Sequence, residues 1–586
     1  MLDVVKTIDD YLSKRTWKVK NNSNAPYSFG ALNKYLQEAG SKEYWLNKVY
    51  TPEIKKFHED GFGHIHDLGG LTIYCCGYSL QKILLMGVKG VPNIPTSAPA
   101  KHFDAILNQL ANLVTVFQNE IMGAVAFSAF DTLLAPFIRE DNLDYRQVKQ
   151  SIQNYIYSVN SNSRNGAEPA FSNLSFDIFV PRDLKEQPAI IGGVPTGHTY
   201  GEYQKEMNML NKAFYEVMLH GDALGKPFAY PIPTFSIMNG FDWDNPNNAD
   251  LWKMTGKYGY PYFSNFMNSD MDPSDVRSMC CRMNLDLRQL RKRNGGLFGS
   301  GDSTGSIGNV TLNLPRFGLL SHGDKGELKR IIKKYMIIAK DSLELKRAWL
   351  SENVLGTGLI PAFDTYVGTL DNHFSTIGHV GLNEMCLNFN GKDILDADNK
   401  KLCEELLDYM SELLIEFQEE TGHLYNLEAS PAESTCHSLA LKDVEKYGSK
   451  IKTQGEGNSV YYTNSCHIPV SKVSSLQQLF EHQDGLQVKY TGGTVVHIYT
   501  GGAISGEQAK SIIKTVCENY RVPYVSISPL VCYCPKHGVL DETVEYCPKC
   551  GTKTTYFQRI TGYIRIVDNF NAGKMAEFYD RHQLLK

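Results

Sequence analysis

The residues with the clearest chemical potential lie near the C-terminus, in two short motifs. Two residues separate Cys534 from His537 in one motif and Cys547 from Cys550 in the other, and a glycine follows each motif directly. This spacing lets both ligands of a motif face one ion, and the glycine permits the tight turn. The pattern predicts a structural, tetrahedral zinc site formed by these four residues. Cys532 is an alternative to His537 as the fourth ligand.

A glycine, Gly562, follows the metal motifs within the segment Arg559–Tyr563. Removal of a glycine α-hydrogen leaves a planar radical that is delocalised over both flanking peptide groups, whereas a side chain would twist that plane. The alternative interpretation is an ordinary turn that uses glycine for its backbone freedom. A stored radical needs a cysteine that converts it into a working oxidant. A rigid metal site just upstream would hold the glycine in register with that cysteine.

Two pairs of adjacent cysteines are candidates for this partner, Cys280-Cys281 and Cys75-Cys76. In isolation, such pairs are more typical of buried structural cysteines, which behave as small apolar residues. Radical chemistry at a thiol does not depend on a lowered thiolate pKa, so a cation beside the thiol is not required. Both pairs therefore remain candidates until the rest of the chain is considered.

Helices and short apolar strands that can position these residues alternate along the chain. Apolar residues recur at helical spacing over 103–121 and 402–417, which predicts two helices with faces buried in the core or in a dimer interface. Short strands are predicted over 71–74, 310–314 and 495–499. This alternation predicts an α/β fold with a largely enclosed sheet.

Composition limits the partners of the chain. The 586 residues carry a net charge of −5, which gives no basic face for nucleic acid. The sequence contains no apolar run of membrane-spanning length and no signal peptide, so we expect a cytoplasmic protein without a membrane partner. Proline, cysteine, lysine and glycine accumulate after Ser528, which predicts a catalytic domain of residues 1–528 and a C-terminal segment of residues 529–586.

Several further motifs occur in one order along almost the whole chain. Together with the metal motifs and the 559–563 loop, they are residues 64–68, 74–75, 279–282, 304–308, 312–316, 430–433, 462–465 and 490–494. In this set the chain resembles the catalytic subunit of the anaerobic (class III) ribonucleoside-triphosphate reductases. The resemblance implies a ten-stranded α/β barrel of the glycyl radical enzyme type. It also implies an oxidoreductase that converts ribonucleoside triphosphates into 2′-deoxyribonucleoside triphosphates for DNA precursor synthesis.

The resemblance implies a role for each matched site residue. Gly562 would store the radical. Cys281, on a finger loop threading the barrel, would become the thiyl radical that removes the ribose 3′ hydrogen. Cys75 would face it across the substrate and return a hydrogen equivalent as the 2′ hydroxyl departs as water. Met279 and Asn309 match positions near the substrate in members that use formate as reductant.

The resemblance also implies partners. A separate radical-SAM activating enzyme would generate the radical, and deoxynucleotide or ATP effectors would bind a homodimer and set its specificity. Members often begin with an ATP-cone domain. The family-like segment starts at Asn21 after a short lead, so we expect no cone.

Three alternatives remain at this point. Some members use a thioredoxin-type reductant, and the residue before Cys75 is not the asparagine of some formate users. Another glycyl radical enzyme, such as pyruvate formate-lyase, also has adjacent cysteines, although the metal motifs and the separate Cys75 weigh against it. A zinc-binding protein with a degenerate glycine loop would have no catalytic activity.

Overall fold

A computed structural model describes residues 2–14, 19, 27–92, 94–268, 276–278, 284–286, 303–560 and 562–584. Its strands are β1 (Gly63–Ile65), β2 (Cys75–Gly77), β3 (Val125–Phe127), β4 (Ser172–Phe176), β5 (Pro188–Ile191), β6 (Val194–Thr199), β7 (Ile232–Ile237), β8 (Tyr262–Asn265), β9 (Val276–Ser278), β10 (Asn284–Asp286), β11 (Thr304–Asn313), β12 (His373–Val380), β13 (Tyr425–Glu428), β14 (Val496–Thr500), β15 (Tyr524–Pro529), β16 (Val531–Cys534), β17 (Gly538–Leu540), β18 (Thr555–Arg559) and β19 (Ile564–Ile566).

The described α-helices alternate with these strands. They are α1 (Val4–Leu12), α2 (Phe29–Tyr44), α3 (Pro52–Glu59), α4 (Leu80–Met86), α5 (Phe103–Glu120), α6 (Phe130–Glu140), α7 (Tyr145–Val159), α8 (Arg182–Lys185), α9 (Gln204–His220), α10 (Ala249–Tyr258), α11 (Leu314–Leu320), α12 (Lys325–Asn353), α13 (Pro361–Tyr366), α14 (Leu382–Asn390), α15 (Ala397–Thr421), α16 (Glu433–Tyr447), α17 (Leu476–Gln487), α18 (Gly506–Asn519) and α19 (Ala572–Asp580).

Ten strands form a continuous sheet in the order β13-β12-β11-β2-β3-β4-β7-β8-β15-β14, and β1 also pairs with β11. Strands β2, β3, β4, β7 and β8 run parallel to one another, as do β11, β12 and β13. Strands β14 and β15 also run parallel to each other. Antiparallel pairing occurs between β11 and β2 and between β15 and β8. A parallel bridge from Glu428 to Gly492, just before β14, joins the two ends of the sheet. The predicted ten-stranded α/β barrel is confirmed.

The helices pack around this barrel through apolar faces. The predicted helix over 103–121 is α5, and the helix predicted over 402–417 lies within α15. Their apolar stripes are buried inside this chain, and α15 packs on β13. The periodicity therefore reports core packing in both cases. No described helix combines the length and apolarity needed to cross a membrane.

Two strand predictions hold and one is wrong. The run 310–314 falls in β11 except for Leu314, which begins α11, and the run 495–499 falls in β14 apart from its first residue. The strand predicted over 71–74 is not formed, because β2 begins only at Cys75. Residues 72–74 instead make isolated bonds, such as the Thr72 hydroxyl to the Glu120 carbonyl at 2.6 Å. An apolar run predicts burial here but not a paired ladder.

The C-terminal segment forms a separate four-stranded antiparallel sheet in the order β17-β16-β18-β19. Strand β15 of the barrel ends at Pro529 and β16 begins at Val531. The segment then returns to the barrel, where α19 packs on α16 and the Leu584 amide donates to the Tyr499 carbonyl of β14 at 3.2 Å. The last described residues are therefore tied to the barrel wall.

The motif 312–316 builds a buried ion pair. Arg316 and Asp443 are both fully buried and ion-paired, and the Arg316 Nε lies 2.6 Å from the Asp443 carboxylate. The other carboxylate oxygen accepts from the Asn313 amide at 2.8 Å and from the Tyr462 hydroxyl at 2.6 Å. The Arg316 Nη1 also donates to the Asp60 carbonyl at 2.5 Å. This cluster joins α11 and α16 to the turn before β1, so the motif has a structural role.

We expect the substitution Arg316→Ala to lower the free energy of unfolding by about 3–5 kcal/mol, because it leaves the Asp443 carboxylate buried without its charge partner. Burial already raises the pKa of Asp443 above its ordinary value. Urea denaturation measures the change. Arg330→Ala is the control, because among the described residues this exposed guanidinium bonds only to Glu327, and its loss should leave the free energy of unfolding nearly unchanged. Equal effects of the two substitutions would contradict the structural role.

Candidate active site

Gly562 lies in the short turn that joins β18 to β19. The Ile560 amide donates to the Tyr563 carbonyl at 3.0 Å, and the pairing of Arg559 with Ile564 closes the turn. A Cβ placed on Gly562 would meet no atom of the other described residues within 4 Å, so their packing does not require a glycine here. The space around this residue therefore gives no steric reason for glycine among the described residues.

The Gly562 carbonyl is held by two donors. The Tyr262 hydroxyl donates to it at 2.6 Å, and the Arg559 Nη1 donates at 3.1 Å. The other terminal nitrogen of Arg559 donates to the carbonyls of Gly259 and Tyr260, which directly precede β8. The glycine turn is thus attached to one position on the barrel rim.

The C-terminal tail holds the strand that leads into this turn. The Arg581 Nη1 donates to the Gln558 side chain at 2.6 Å and to the Arg559 carbonyl at 3.2 Å. Its Nη2 donates to the Ile560 carbonyl at 3.2 Å and to the Glu577 carboxylate at 3.1 Å. Burial opposes the charge of Glu577, but the adjacent cations hold its pKa below the ordinary value. The tail therefore fixes the backbone on the N-terminal side of Gly562.

Cys75 and Cys76 occupy opposite faces of β2. Cys76 belongs to the main hydrophobic core together with Tyr78, whose ring stacks on Phe117 of α5. Successive strand residues point to opposite sides, so Cys75 faces the barrel interior. Cys75 is 1% exposed, and its sulfur accepts from the Ala124 amide at 3.3 Å. A Cβ on Gly123 would lie 2.2 Å from this sulfur, so that glycine makes room for the thiol.

A chain of buried polar side chains lines the same interior face next to Cys75. The Asn309 amide nitrogen donates to the Glu428 carboxylate, and the Ser430 hydroxyl lies 3.4 Å from the same oxygen. Thr311 bonds to Ser430 at 3.0 Å and to the His66 Nε2 at 2.8 Å. The buried Asn309 Oδ1 has no hydrogen-bond partner among the described residues. This acceptor is therefore buried without a partner in the described part of the chain.

Burial sets the charge states of His66 and Asp67, which lie beside these polar side chains. It lowers the pKa of His66 to about 4, with a further contribution from the Lys346 ammonium. It raises the pKa of Asp67 to about 6, and the opposing charges of Lys346 and Arg164 reduce this shift. His66 is consequently a neutral imidazole at pH 7, which can both donate and accept hydrogen bonds.

Two predicted site residues, Met279 and Cys281, lie outside the described residues. The described strands on either side of them, β9 and β10, pair antiparallel, with Ser278 opposite Asn284. The connection between these strands contains both residues. The finger-loop position of Cys281 accordingly stays a prediction.

The structure brings Cys534, His537, Cys547 and Cys550 together, with their ligand atoms all within 4.8 Å of one another. The Cys534 sulfur lies 3.7 Å from both the His537 Nδ1 and the Cys550 sulfur, and the Cys547 sulfur lies 3.5 Å from the same Nδ1. Zinc–sulfur bonds of about 2.3 Å in a tetrahedron separate two sulfurs by about 3.8 Å, so the donor set fits such an ion. Cys532 is outside the group, and its sulfur lies 3.4 Å from the Val544 carbonyl.

The metal cluster is connected to the Gly562 turn through paired strands. Strand β16 carries Cys534 and pairs with β18, which ends at Arg559. A metal in the cluster would therefore fix the strand that directly precedes the glycine turn.

Residues of two matched motifs, 430–433 and 462–465, line one cavity at the end of the barrel. Ser430 and Pro431 contribute from one motif, Thr463, Asn464 and Ser465 from the other. Gly493 and the tail residues His582 and Leu584 complete this part of the wall. The arrangement joins both motifs in one site next to the buried polar side chains around Asn309.

The barrel and the glycine turn docked at its rim define the fold class of the glycyl radical enzymes. The family profile described as anaerobic ribonucleoside-triphosphate reductase matches residues 21–584. The chain belongs to this family, and the predicted family and oxidoreductase activity are confirmed.

Relatives of the same description are distant in sequence but span most of the chain. The Escherichia coli K12 enzyme is 23% identical over 584 residues, covering 92% of this chain and 79% of the relative. The enzyme of enterobacteria phage T4 is 25% identical and covers 76% and 75%. The solved anaerobic ribonucleotide reductase of Thermotoga maritima, in complex with dATP and CTP, has a TM-score of 0.78 and 20% identity. That comparison covers 98% of this chain and 94% of that one, and it supports the fold.

Sequence reasoning missed three residues of the site: Tyr262, Glu428 and Arg581. Glu428 stands two residues before the motif that begins at Ser430, so proximity to that motif was an available signal. Tyr262 is far from Gly562 in sequence, and Arg581 lies beyond the matched loop. The Tyr262 contact depends on how the C-terminal sheet docks on the barrel, and the Arg581 contacts depend on how the tail folds back on β18.

Proposed function

We propose that this protein reduces ribonucleoside triphosphates to 2′-deoxyribonucleoside triphosphates without oxygen, with a radical stored at Gly562. The observation that carries the proposal is the placement of a buried thiol, Cys75, on the interior face of a barrel whose rim holds the glycine turn. An enclosed barrel interior excludes the water and oxidants that would quench a radical intermediate.

The reaction assigns a step to each site residue. Gly562 oxidises Cys281, whose thiyl radical removes the ribose 3′ hydrogen, and that hydrogen returns at the end of the cycle. The 2′ hydroxyl takes up a proton and departs as water while Cys75 supplies a hydrogen equivalent. Asn309, with one open acceptor, orients the ribose at this step, and Met279 lies near the substrate. With formate, ribonucleoside triphosphate, HCOO⁻ and H⁺ give deoxyribonucleoside triphosphate, CO₂ and H₂O.

The test incubates activated protein anaerobically with CTP and formate. We expect deoxy-CTP by chromatography. Absence of deoxy-CTP together with acetyl transfer to coenzyme A would contradict the proposal and favour a formate acyltransferase.

Formate is the proposed reductant because Met279 and Asn309 match positions of formate-using members, and the placement of Cys76 supports this choice. A thioredoxin-type donor acts on a dithiol, and Cys76 faces the hydrophobic core on the opposite side of β2 from Cys75. This neighbour is therefore not placed to form a redox pair with Cys75. Labelled formate should release one CO₂ for each deoxy-CTP formed. Deoxy-CTP formation with a thioredoxin system and no formate would contradict the assignment.

We further propose that the four-residue cluster binds a structural zinc ion. All donor positions are filled by protein side chains, which is typical of structural rather than catalytic zinc. The metal would rigidify the sheet that presents Gly562, because β18 pairs with the strand carrying Cys534.

We expect Cys547→Ser to lose the bound zinc and to lower both the melting temperature and the radical yield, because a structural metal contributes directly to folding. Elemental analysis and spin counting measure the two quantities. Cys532→Ser is the matched control, because this cysteine lies outside the cluster. Zinc retained in Cys547→Ser, or lost in Cys532→Ser, would contradict the ligand set.

The remaining partners follow from the same family. We propose a cytoplasmic homodimer that is activated by a radical-SAM enzyme and regulated by deoxynucleotide or ATP effectors. One structure of the Thermotoga maritima relative has dATP bound in the specificity site. Light scattering should show a dimer, and dATP should change the rate of CTP reduction relative to that of other substrates. A monomer whose substrate preference ignores dATP would contradict this part.

A further inference from the structure

The Gly562 carbonyl oxygen accepts hydrogen bonds from two side-chain donors. The Tyr262 hydroxyl lies 2.6 Å from this oxygen and the Arg559 Nη1 lies 3.1 Å from it. Both donors are almost fully buried, at 2% exposure each. The turn itself needs neither bond, because the Ile560 amide already closes it on the Tyr563 carbonyl.

The two donors are themselves fixed in place. The Arg559 guanidinium lies over the Tyr262 ring, 4.4 Å from its centroid, and donates from its other side to the Gly259 and Tyr260 carbonyls. Gly259 adopts a φ of +68°, and a Cβ there would lie 2.2 Å from the Ile527 carbonyl. Gly259 can therefore adopt this backbone conformation. The Arg559 guanidinium is held in one orientation by its two carbonyl acceptors and by the Tyr262 ring.

A radical at the glycine α-carbon shares its unpaired electron with the carbonyl of the same residue. Donors aimed at that oxygen stabilise the delocalised form, and they act without reorganisation because they are already in position. They also fix the peptide plane, which must stay flat for the delocalisation to persist.

We propose that Tyr262 and Arg559 are positioning residues of the stored radical, which bind the Gly562 carbonyl and hold its peptide plane against β8. This inference rests on the proposed function, because it requires the radical to be at Gly562. It predicts that removal of one donor changes the radical itself as well as the docking of the turn.

Tyr262→Phe is the decisive variant, because it removes the donor hydroxyl and keeps the ring under the guanidinium. We expect an altered hyperfine splitting of the glycine signal in EPR, and anaerobic decay of the radical about three- to tenfold faster than in the wild type. Turnover per radical should fall by a similar factor. Tyr230→Phe is the matched control, since this tyrosine lies in the same apolar cluster and packs near Tyr563.

Arg559→Lys should also speed the decay of the radical, because one ammonium cannot bond to the Gly562 and Gly259 carbonyls at once as the two terminal nitrogens of a guanidinium do. If that variant does not fold, Tyr262→Phe still decides. The inference would be overturned if the wild type shows the doublet but Tyr262→Phe equals Tyr230→Phe in hyperfine splitting, radical decay and turnover per radical. A wild type without any doublet would overturn the proposed function instead, and the inference with it.

Discussion

Gly562→Ala abolishes deoxynucleotide formation while the fold survives. The loss should be at least about 10⁴-fold, because the radical chain has no starting point and only uncatalysed reaction remains. The fold should be kept because a Cβ at this position meets no atom within 4 Å. Chromatography of deoxy-CTP measures the activity, and the melting temperature and circular dichroism report the fold.

Gly502→Ala is the control for this substitution. It adds the same methyl group to another loop glycine, where the nearest atom would be 3.8 Å away on Thr543. It should retain full activity. Air exposure gives a second comparison, because oxygen should cleave the activated wild-type chain at Gly562 and leave Gly562→Ala intact. An active Gly562→Ala protein, or an uncleaved wild type after oxygen inactivation, would place the radical elsewhere.

Cys75→Ser stops product formation at a later point. The stronger O–H bond of serine does not donate a hydrogen atom to a carbon radical, so we expect a loss of about 10³-fold or more, within the range of positioned hydrogen-transfer groups. The glycyl radical should still form in full yield, because Cys75 acts after the radical has left Gly562. Product analysis and spin counting on the same sample separate the two effects.

Cys76→Ala is the matched control, one residue away and on the opposite face of β2. Its thiol packs in the hydrophobic core and not in the barrel interior. We expect a loss of about 1 kcal/mol in the free energy of unfolding and unchanged turnover. Cys76→Ala inactive with Cys75→Ser active would reverse the assignment of the two faces.

Local patterns in the sequence were sufficient for much of the fold. The apolar stripes of α5 and α15 predict those helices closely, because the periodic spacing of buried apolar residues is a property of each segment's own sequence. The four metal-cluster residues are also predictable, since ligand type and spacing are local properties. The strand over 71–74 fails because an apolar run does not show where backbone pairing begins.

The closure of the barrel and its site depend on contacts that no local pattern encodes. The bridge from Glu428 to Gly492 and the bond from Tyr262 to Gly562 join residues distant in sequence. The number of strands and the roles of Cys75 and Asn309 came from the resemblance to a family. The structure adds a geometric argument that favours Cys75 over Cys76, which is the alternation of faces along β2.

The EPR spectrum of the wild-type protein tests the central claim most directly. The protein is incubated anaerobically with its activating enzyme, S-adenosylmethionine and a reductant. A radical at Gly562 predicts a doublet from its single remaining α-hydrogen. The doublet should collapse to a singlet when the protein is produced in cells supplied with α-deuterated glycine. The absence of a signal while the activating enzyme consumes S-adenosylmethionine, or a signal unchanged by deuterated glycine, would contradict the account.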